Sequence, residues 1–296
     1  MISNVGIGNR FPYQKEAAMF VKNGTGVLKK VLLSRPSYLK PAPINEIAKK
    51  WEKSQLDRDM MEEEHQLFIK AYRENGIEVE LLKAHESRPN AVFSRDFGGC
   101  IREGYILGRF KEPIRYQEYE GYKKKMEELG VPLIAKVKEG YFEGGDFAFL
   151  RENLIALGMA ARTDRKGATE ISEGLKGYGY HILTVPLREK YLHLDMCFNL
   201  VEENLAVACT SVLPEEFIDK LKELSIDIIE VSEESIFAHG CNLQSLGDRK
   251  VFSLKQNVKV NEALAAKGMT VIELDITEIL KAGGGPHCMT FPLSRV

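Results

Sequence analysis

A thiolate is the strongest nucleophile a side chain offers near neutral pH, so an isolated cysteine in an accessible backbone setting is the first residue to weigh. Cys288 has that setting. It follows Gly283, Gly284 and Gly285 in the stretch KAGGGPHCMTFPL. Three consecutive glycines free the backbone for positive φ and let a ligand approach closely. Of the six histidines, His193 is the best placed to act with it, because it begins HLD, a segment that opens one of the repeats described below. Glu143, in EGGD, is positioned to orient and charge-stabilise that imidazole, the third role in such arrangements. Asp96 in FSRD and Asp195 in HLD add two further acids. Two buried carboxylates beside a nucleophile cannot both stay ionised without a cation. A guanidinium meets the need, being planar, permanently charged and armed with five donors in a fork that matches carboxylates. Metal binding is the competing use of Asp, His, Asp and Cys. It is disfavoured because no HxH or CxxC pair is present, and no metal or organic cofactor is called for.

Residues this far apart need a fold that gathers them, and the sequence carries a repeat suited to the task. Asp96 to Asp146 is 50 residues, Asp146 to Asp195 is 49, and Asp195 to Leu243 is 48. Each repeat reads as a hairpin, an amphipathic helix and a β-branched strand. The hairpins are FGGCIREGYILG, FAFLRENLIALG, CFNLVEENLAVAC and NLQSLGDRKVFSL, each with a polar turn between apolar runs. Periodicity predicts helices over 44–75, 118–129, 168–175, 215–224 and 258–267. Strands are expected to follow from Ile77, Val131, His181, Ile226 and Thr270. A fifth unit opens with VLLSRP at Val31 and is completed by a C-terminal strand over 289–293. The expected architecture is one closed α/β domain over residues 1–296, with five ββαβ units around a pseudo-fivefold axis. If every hairpin starts at the same end of that axis, FSRD, EGGD, HLD, GCN (240–242) and GGGPHC converge on one cavity, as a small-molecule site requires.

Bulk properties narrow the partners. The 296 residues are 44% hydrophobic and 28% charged, enough apolar material for a sizeable core. A formal charge of −2, from 41 basic and 43 acidic side chains, gives no electrostatic footprint for nucleic acid or an anionic membrane. A small-molecule partner fits better. The first twenty residues lack a basic segment followed by an apolar one, and no uncharged run approaches a membrane span. With five cysteines, an odd number without a CxxC pair, the thiols are expected reduced and the protein cytoplasmic. The oligomeric state is left open, a homo-oligomer included.

Four motifs, PNAVFSRD (89–96), EGGD (143–146), HLD (193–195) and GGGPHCMT (283–290), together resemble the signatures of the guanidino-group modifying superfamily, arginine deiminase most of all. The resemblance covers roughly residues 30–293 and implies a five-bladed α/β propeller. It also implies Cys288 as nucleophile, His193 as general acid then base, Glu143 as its support, and Asp96 and Asp195 as guanidinium ligands. Asn90 stands where arginine deiminase has a substrate-binding asparagine. Arg115 and Arg162, each 19 residues after an acid of the site, fall where the family keeps arginines for the α-carboxylate, and Asp146 joins this substrate-binding set. Two departures matter. The chain lacks the helical insertion of arginine deiminases, being of the compact size of dimethylarginine dimethylaminohydrolases, and Gly283 replaces an arginine of the deiminases. Conversely, dimethylarginine dimethylaminohydrolases usually carry lysine where Asp195 stands, and a carboxylate there favours an unsubstituted guanidinium. The expectation is hydrolysis of free arginine, or a close analogue, to citrulline and ammonia through an S-alkylthiouronium. The alternatives are a dimethylarginine dimethylaminohydrolase, an arginine dihydrolase continuing to ornithine, an amidinotransferase, and a non-enzymatic propeller.

Overall fold

A computed structural model describes residues 20–296; residues 1–19, most of the stretch read above for a leader, lie outside the described residues. The chain starts with β1 (Leu28–Ser34), followed by α1 (Glu46–Trp51), α2 (Arg58–Glu74) and β2 (Glu78–Leu82). The next unit comprises β3 (Gly98–Ile101), β4 (Gly104–Leu107), α3 (Glu118–Glu128) and β5 (Leu133–Lys136). It is repeated by β6 (Phe147–Arg151), β7 (Leu154–Met159), α4 (Arg165–Leu175) and β8 (His181–Pro186). Then come β9 (Phe198–Glu202), β10 (Leu205–Ala208), α5 (Glu215–Glu223), β11 (Asp227–Glu230) and the single turn α6 (Glu233–Ile236). The last full unit is β12 (Gln244–Gly247), β13 (Lys250–Leu254), α7 (Val258–Ala266) and β14 (Thr270–Leu274), and β15 (Phe291–Arg295) ends the chain.

Among the described residues these strands form five three-stranded sheets of one pattern. The middle strand pairs antiparallel with the strand before it and parallel with the strand after the helix, as in β3-β4-β5. Burial follows that order. The residues of β3 and β4 are all buried, whereas β5 is exposed at both ends and only half-buried between, so the first strands face the axis and the third strands form the outer edges. The molecule is a five-bladed α/β propeller, as the repeat predicts. Its last blade is closed by the two ends of the chain: β15 pairs antiparallel with β1, whose other neighbour is β2.

Element ends shift by up to three residues from the sequence expectation, as in α4 and β5, and two differences bear on the site. The helix expected over 44–75 is two helices, because Asp57 caps α2 by accepting the Met60 N–H at 3.0 Å, and Asn45 caps α1 by accepting that of Ala48 at 2.7 Å. The C-terminal strand begins at Phe291 rather than Met289; residues 286–290 form a tight turn in which Thr290 Oγ1 donates to the Pro286 carbonyl at 2.7 Å. That turn carries Cys288.

The repeat places chemistry because a short 3-10 turn precedes the first strand of each of three blades: Ser94–Phe97, Gly144–Asp146 and Leu194–Met196. The fourth blade has the Gly240–Asn242 turn in the same place, and the fifth has the turn bearing Cys288. Core residues lock these turns to the blades. Phe97, next to Asp96, stacks on Tyr122 of α3 with centroids 4.2 Å apart and packs on Phe291 of β15 at 4.1 Å.

Candidate active site

The five turns bring Cys288, His193, Glu143, Asp96 and Asp195 into one buried cluster at one end of the axis. Asn242 Nδ2 donates to Cys288 Sγ at 2.9 Å, and Asn242 Oδ1 accepts the His287 N–H at 2.9 Å, so one amide holds the sulfur and the peptide before it. Cys288 Sγ lies 3.6 Å from Asp195 Oδ2. Burial pushes the thiol well above its ordinary range, and the charges of Asp195 and Asp96 push it further, while Asn242 opposes them. A nucleophile in this setting needs positive charge beside it to ionise.

His193 faces the acids. Its Nε2 is 3.0 Å from Glu143 Oε2 and its Nδ1 is 3.9 Å from Asp96 Oδ1. Gly145 is required here, because a Cβ on it would sit 2.6 Å from His193 Nδ1. Burial alone would lower the imidazole, but the charge of Asp96, the Glu143 hydrogen bond and Asp146 outweigh it and hold His193 up at about 9. Glu143 moves the other way: although burial favours its neutral form, the His193 bond and the charges of Arg162 and Arg115 hold it down at about 2. The two therefore form a buried imidazolium–carboxylate pair at neutral pH.

The two carboxylates expected to bind a guanidinium, Asp96 and Asp195, each keep one oxygen engaged and one without a partner among the described residues. Asp96 Oδ2 takes Arg115 Nη1 at 2.6 Å, and Asp195 Oδ2 takes His287 Nδ1 at 2.8 Å. Burial and the charge of Arg95 hold His287 down at about 4, so its ring is neutral and donates an ordinary N–H. Asp96 Oδ1 and Asp195 Oδ1 are buried without a hydrogen-bond partner among the described residues. Two orphaned carboxylate oxygens beside a thiol form an unmet demand for N–H donors.

The residues expected at the amino-acid end of a substrate are distributed less evenly. Arg115 is fully buried and spent within the protein: Nε and Nη2 bind Glu118, Nη1 binds Asp96, and Nη2 also reaches the Phe93 carbonyl at 3.2 Å. An α-carboxylate role for Arg115 does not fit, since its donors are committed to fixing Asp96. Asp146 is corrected likewise. Its Oδ1 accepts the Leu194 N–H at 2.8 Å and its Oδ2 the Thr163 hydroxyl at 2.6 Å, so it fixes the backbone after His193 rather than facing a substrate. Arg162 reaches Glu143 Oε1 at 3.4 Å and the Ile44 carbonyl, and it lines a cavity of about 260 Å³ together with Asn45, Lys111, Lys190, Met196 and Gly283. Asn90 is buried, and its Nδ2 has no hydrogen-bond partner among the described residues. The donor atoms of Asp96, Glu143 and His193 lie within 4.8 Å of one another, and Arg115 and Arg162 supply the positive charge facing those carboxylates.

Three neighbours were not assigned from sequence. Asn242 and His287 stand in motifs singled out by the repeat; the amide of Asn242 carries no reactive group to mark it, and His287 adjoins Cys288 in sequence without a spacing that shows its bond to Asp195. Glu118 lies on α3, outside every motif; only its i+3 spacing from Arg115 hints at the pair.

A sequence profile described as "N,N dimethylarginine dimethylhydrolase, eukaryotic" matches residues 35–295. The chain belongs to that family. Members of the wider guanidino-group modifying superfamily surround it. It is 28% identical to the N(G),N(G)-dimethylarginine dimethylaminohydrolase of Pseudomonas aeruginosa over 77% of this chain and 86% of that one. It is 26% identical to the arginine deiminase of Bacillus cereus over 79% of this chain and 72% of that one. In structure it superposes on the product-bound N-terminal domain of ArgZ, a cyanobacterial arginine dihydrolase, with a TM-score of 0.79 at 23% identity, covering 90% and 97% of the two chains. This family member is a hydrolase of carbon–nitrogen bonds in linear amidines. No helix among the described residues is long and apolar enough to cross a membrane.

Proposed function

We propose that this enzyme hydrolyses the unsubstituted guanidino group of free arginine, or of a close analogue, to a ureido group and ammonia. The observation that carries the reading is the pair of unpartnered buried oxygens, Asp96 Oδ1 and Asp195 Oδ1, on carboxylates flanking Cys288. An unsubstituted guanidinium offers N–H groups to both. A dimethylated terminal nitrogen carries no N–H and would leave one carboxylate facing methyl groups, a buried charge without a donor.

The chemistry follows from the cluster. The substrate cation enters between Asp96 and Asp195 and supplies the positive charge that the buried thiol lacks, so the Cys288 proton departs to solvent. The thiolate attacks the guanidinium carbon. Protonated His193 gives its proton to the departing nitrogen, which leaves as ammonia, and the carbon remains bound to sulfur as an S-alkylthiouronium. Neutral His193 then takes a proton from water as its oxygen attacks that carbon, and the carbon–sulfur bond breaks to regenerate the thiolate and release the ureido product, the remaining hydroxyl proton passing to solvent. Glu143 keeps the imidazolium oriented throughout. At the other end, Asn90 and Arg162 are the side chains we assign to the amino-acid portion of the substrate.

A substrate panel tests the reading: arginine, monomethylarginine, asymmetric dimethylarginine, agmatine and citrulline, each assayed for ammonia, methylated amine and ureido product. The expected result is ammonia from arginine in the absence of any added amine, and none of it from Cys288→Ser. Dimethylamine released faster from dimethylarginine than ammonia from arginine would replace the assignment with the activity named by the family. Ornithine as the end product would extend it to a dihydrolase, and a requirement for an acceptor amine would make it a transferase.

A further inference from the structure

Below the reactive cluster, on the propeller axis, lies a cavity of about 60 Å³ lined by Asp195, His287, Gly145, Gln244, Arg295 and Arg95. Its two arginines are unlike. Arg295 is spent on backbone carbonyls, Nη1 on Gly26 at 2.6 Å and Nη2 on Ser245 at 2.7 Å. Arg95 is not. Among the described residues its guanidinium makes one hydrogen bond, from Nη2 to Gln244 Oε1 at 3.2 Å, and its Nε is buried with no partner. A guanidinium has five donors and keeps its charge in any ordinary environment, so a largely enclosed one with a single neutral partner is an expensive arrangement.

The arrangement has an evident beneficiary. Arg95 is joined to the nucleophile's turn through its backbone, its N–H donating to the Cys288 carbonyl at 2.9 Å, and it precedes Asp96 in sequence. Its side chain enters the cavity that also receives Asp195, whose Oδ1 lacks a partner. On the far side of Asp195 is the Cys288 sulfur, 3.6 Å from Oδ2. The other nearby cations face elsewhere: Arg115 serves Asp96 and Glu118, and Arg162 serves Glu143. Before substrate arrives, Arg95 lines this cavity paired with no carboxylate of the cluster, and unlike Arg295 it is not held by backbone carbonyls.

We infer that Arg95 is a positioning residue that acts from the axial side, its fixed charge offsetting that of Asp195 and so lowering the barrier to forming the Cys288 thiolate. In that role the enzyme does not depend on the substrate cation alone to ionise the thiol; Arg95 meets part of the requirement in the free state. Burial and the charges of Asp195 and Asp96 raise Cys288, while Asp195, although burial opposes it, is held down by its His287 bond, with the charges of His193 and Arg95 adding to it. The inference rests on the reading of Cys288 as nucleophile.

The test is read without substrate, so it stands apart from the substrate assignment. Cys288 alkylation by iodoacetamide is followed by peptide mass spectrometry between pH 6 and 10 in the wild-type protein, Arg95→Gln and Arg95→Lys, with circular dichroism to verify folding. Arg95→Gln is expected to alkylate about tenfold more slowly at pH 7, about 1.4 kcal/mol, with its profile displaced toward alkaline pH. Arg95→Lys, which keeps a point charge, is expected to recover most of the rate. Should Arg95→Gln not fold, Gln244→Leu, which removes the one hydrogen bond aiming the guanidinium, must show a smaller displacement in the same direction. A folded Arg95→Gln or Gln244→Leu with the wild-type profile overturns the inference, as does Arg95→Lys behaving like Arg95→Gln. Failure of Cys288 as nucleophile would appear differently, as substrate turnover surviving in Cys288→Ser.

Discussion

At the scale of single residues, the site works by setting opposite charges against one another in a dry cluster. His193 is the clearest case, because its raised pKa comes from carboxylates of two other blades: Asp96 from one, and Glu143 and Asp146 from the other, with Asp146 accepting the Leu194 N–H beside the imidazole. Cys288 and Asp195 face it from the fifth and third blades. The acid role requires the protonated imidazole, and His193 holds its proton up to about 9. The alkaline limb of kcat/KM should therefore fall as pH rises through about 9, one decade of rate per pH unit beyond it. An initial-rate profile from pH 6 to 10.5 measures this, and Glu143→Gln, which removes one of the charges, should move the limb toward lower pH. An alkaline limb beginning near the ordinary histidine value would contradict the charge assignment. The reactive set was legible from sequence because cysteine, histidine and acids advertise their chemistry. Asn242 was not. An amide in the fourth turn declares no function until its Nδ2 is found 2.9 Å from a sulfur 46 residues away.

At the scale of elements, the periodic signals carried through to the structure because hairpin turns and amphipathic helices are local. The blade strands all appear where alternation and β-branching place them. What sequence did not yield was the break between α1 and α2, since a lysine- and glutamate-rich stretch keeps helical periodicity across it and the interruption depends on the Asp57 cap. The same limit applies to Asp146 and Arg115, whose positions in the motifs are as expected but whose partners are elements of the protein itself. Asp146 ties the turn bearing His193 to Thr163, at the end of its own blade's loop. Burial raises its carboxyl to about 7, above the unfolded value near 4. The sign follows directly: its contribution to stability is fully present below pH 4 and is lost as pH rises through about 7. Asp146→Asn keeps the acceptor for the Leu194 N–H and can donate to Thr163, yet carries no charge. It should flatten the fall in Tm expected of the wild-type protein between pH 5 and 8, measured by thermal melts of both proteins. An equal slope in both proteins would remove Asp146 from the stability account. Replacement by alanine should instead cost about 1–3 kcal/mol at pH 6, because two buried donors lose their acceptor.

At the scale of the molecule, ring closure and nucleophile placement are tied through one short segment. Leu28 of β1 pairs with Arg295 of β15, so the fifth blade cannot be completed until the end of the chain is available. Contacts this distant in sequence are the last a growing or refolding chain can make. Cys288 sits three residues before the closing strand, in the turn held by Thr290 and Tyr72, whose hydroxyls lie 2.5 Å apart. The reactive cluster is thus completed by the step that closes the fold. A chain ending at Thr290 separates the two contributions, because it retains Cys288, Asn242 and the whole turn but lacks β15. It loses Phe291 on Phe97, the buried Leu293, and the Arg295 bonds to Gly26 and Ser245. Truncating a buried aromatic costs about 3–5 kcal/mol and a buried leucine about 2–5 kcal/mol, which together approach the about 5–15 kcal/mol total stability of a domain. This chain is expected to lose cooperative thermal unfolding, and with it activity and pH-dependent alkylation at Cys288, although every reactive side chain is still encoded. A truncated protein with a sharp melting transition and wild-type alkylation would show that the turn is placed by β12 and α2 alone, and that closure is dispensable to the site.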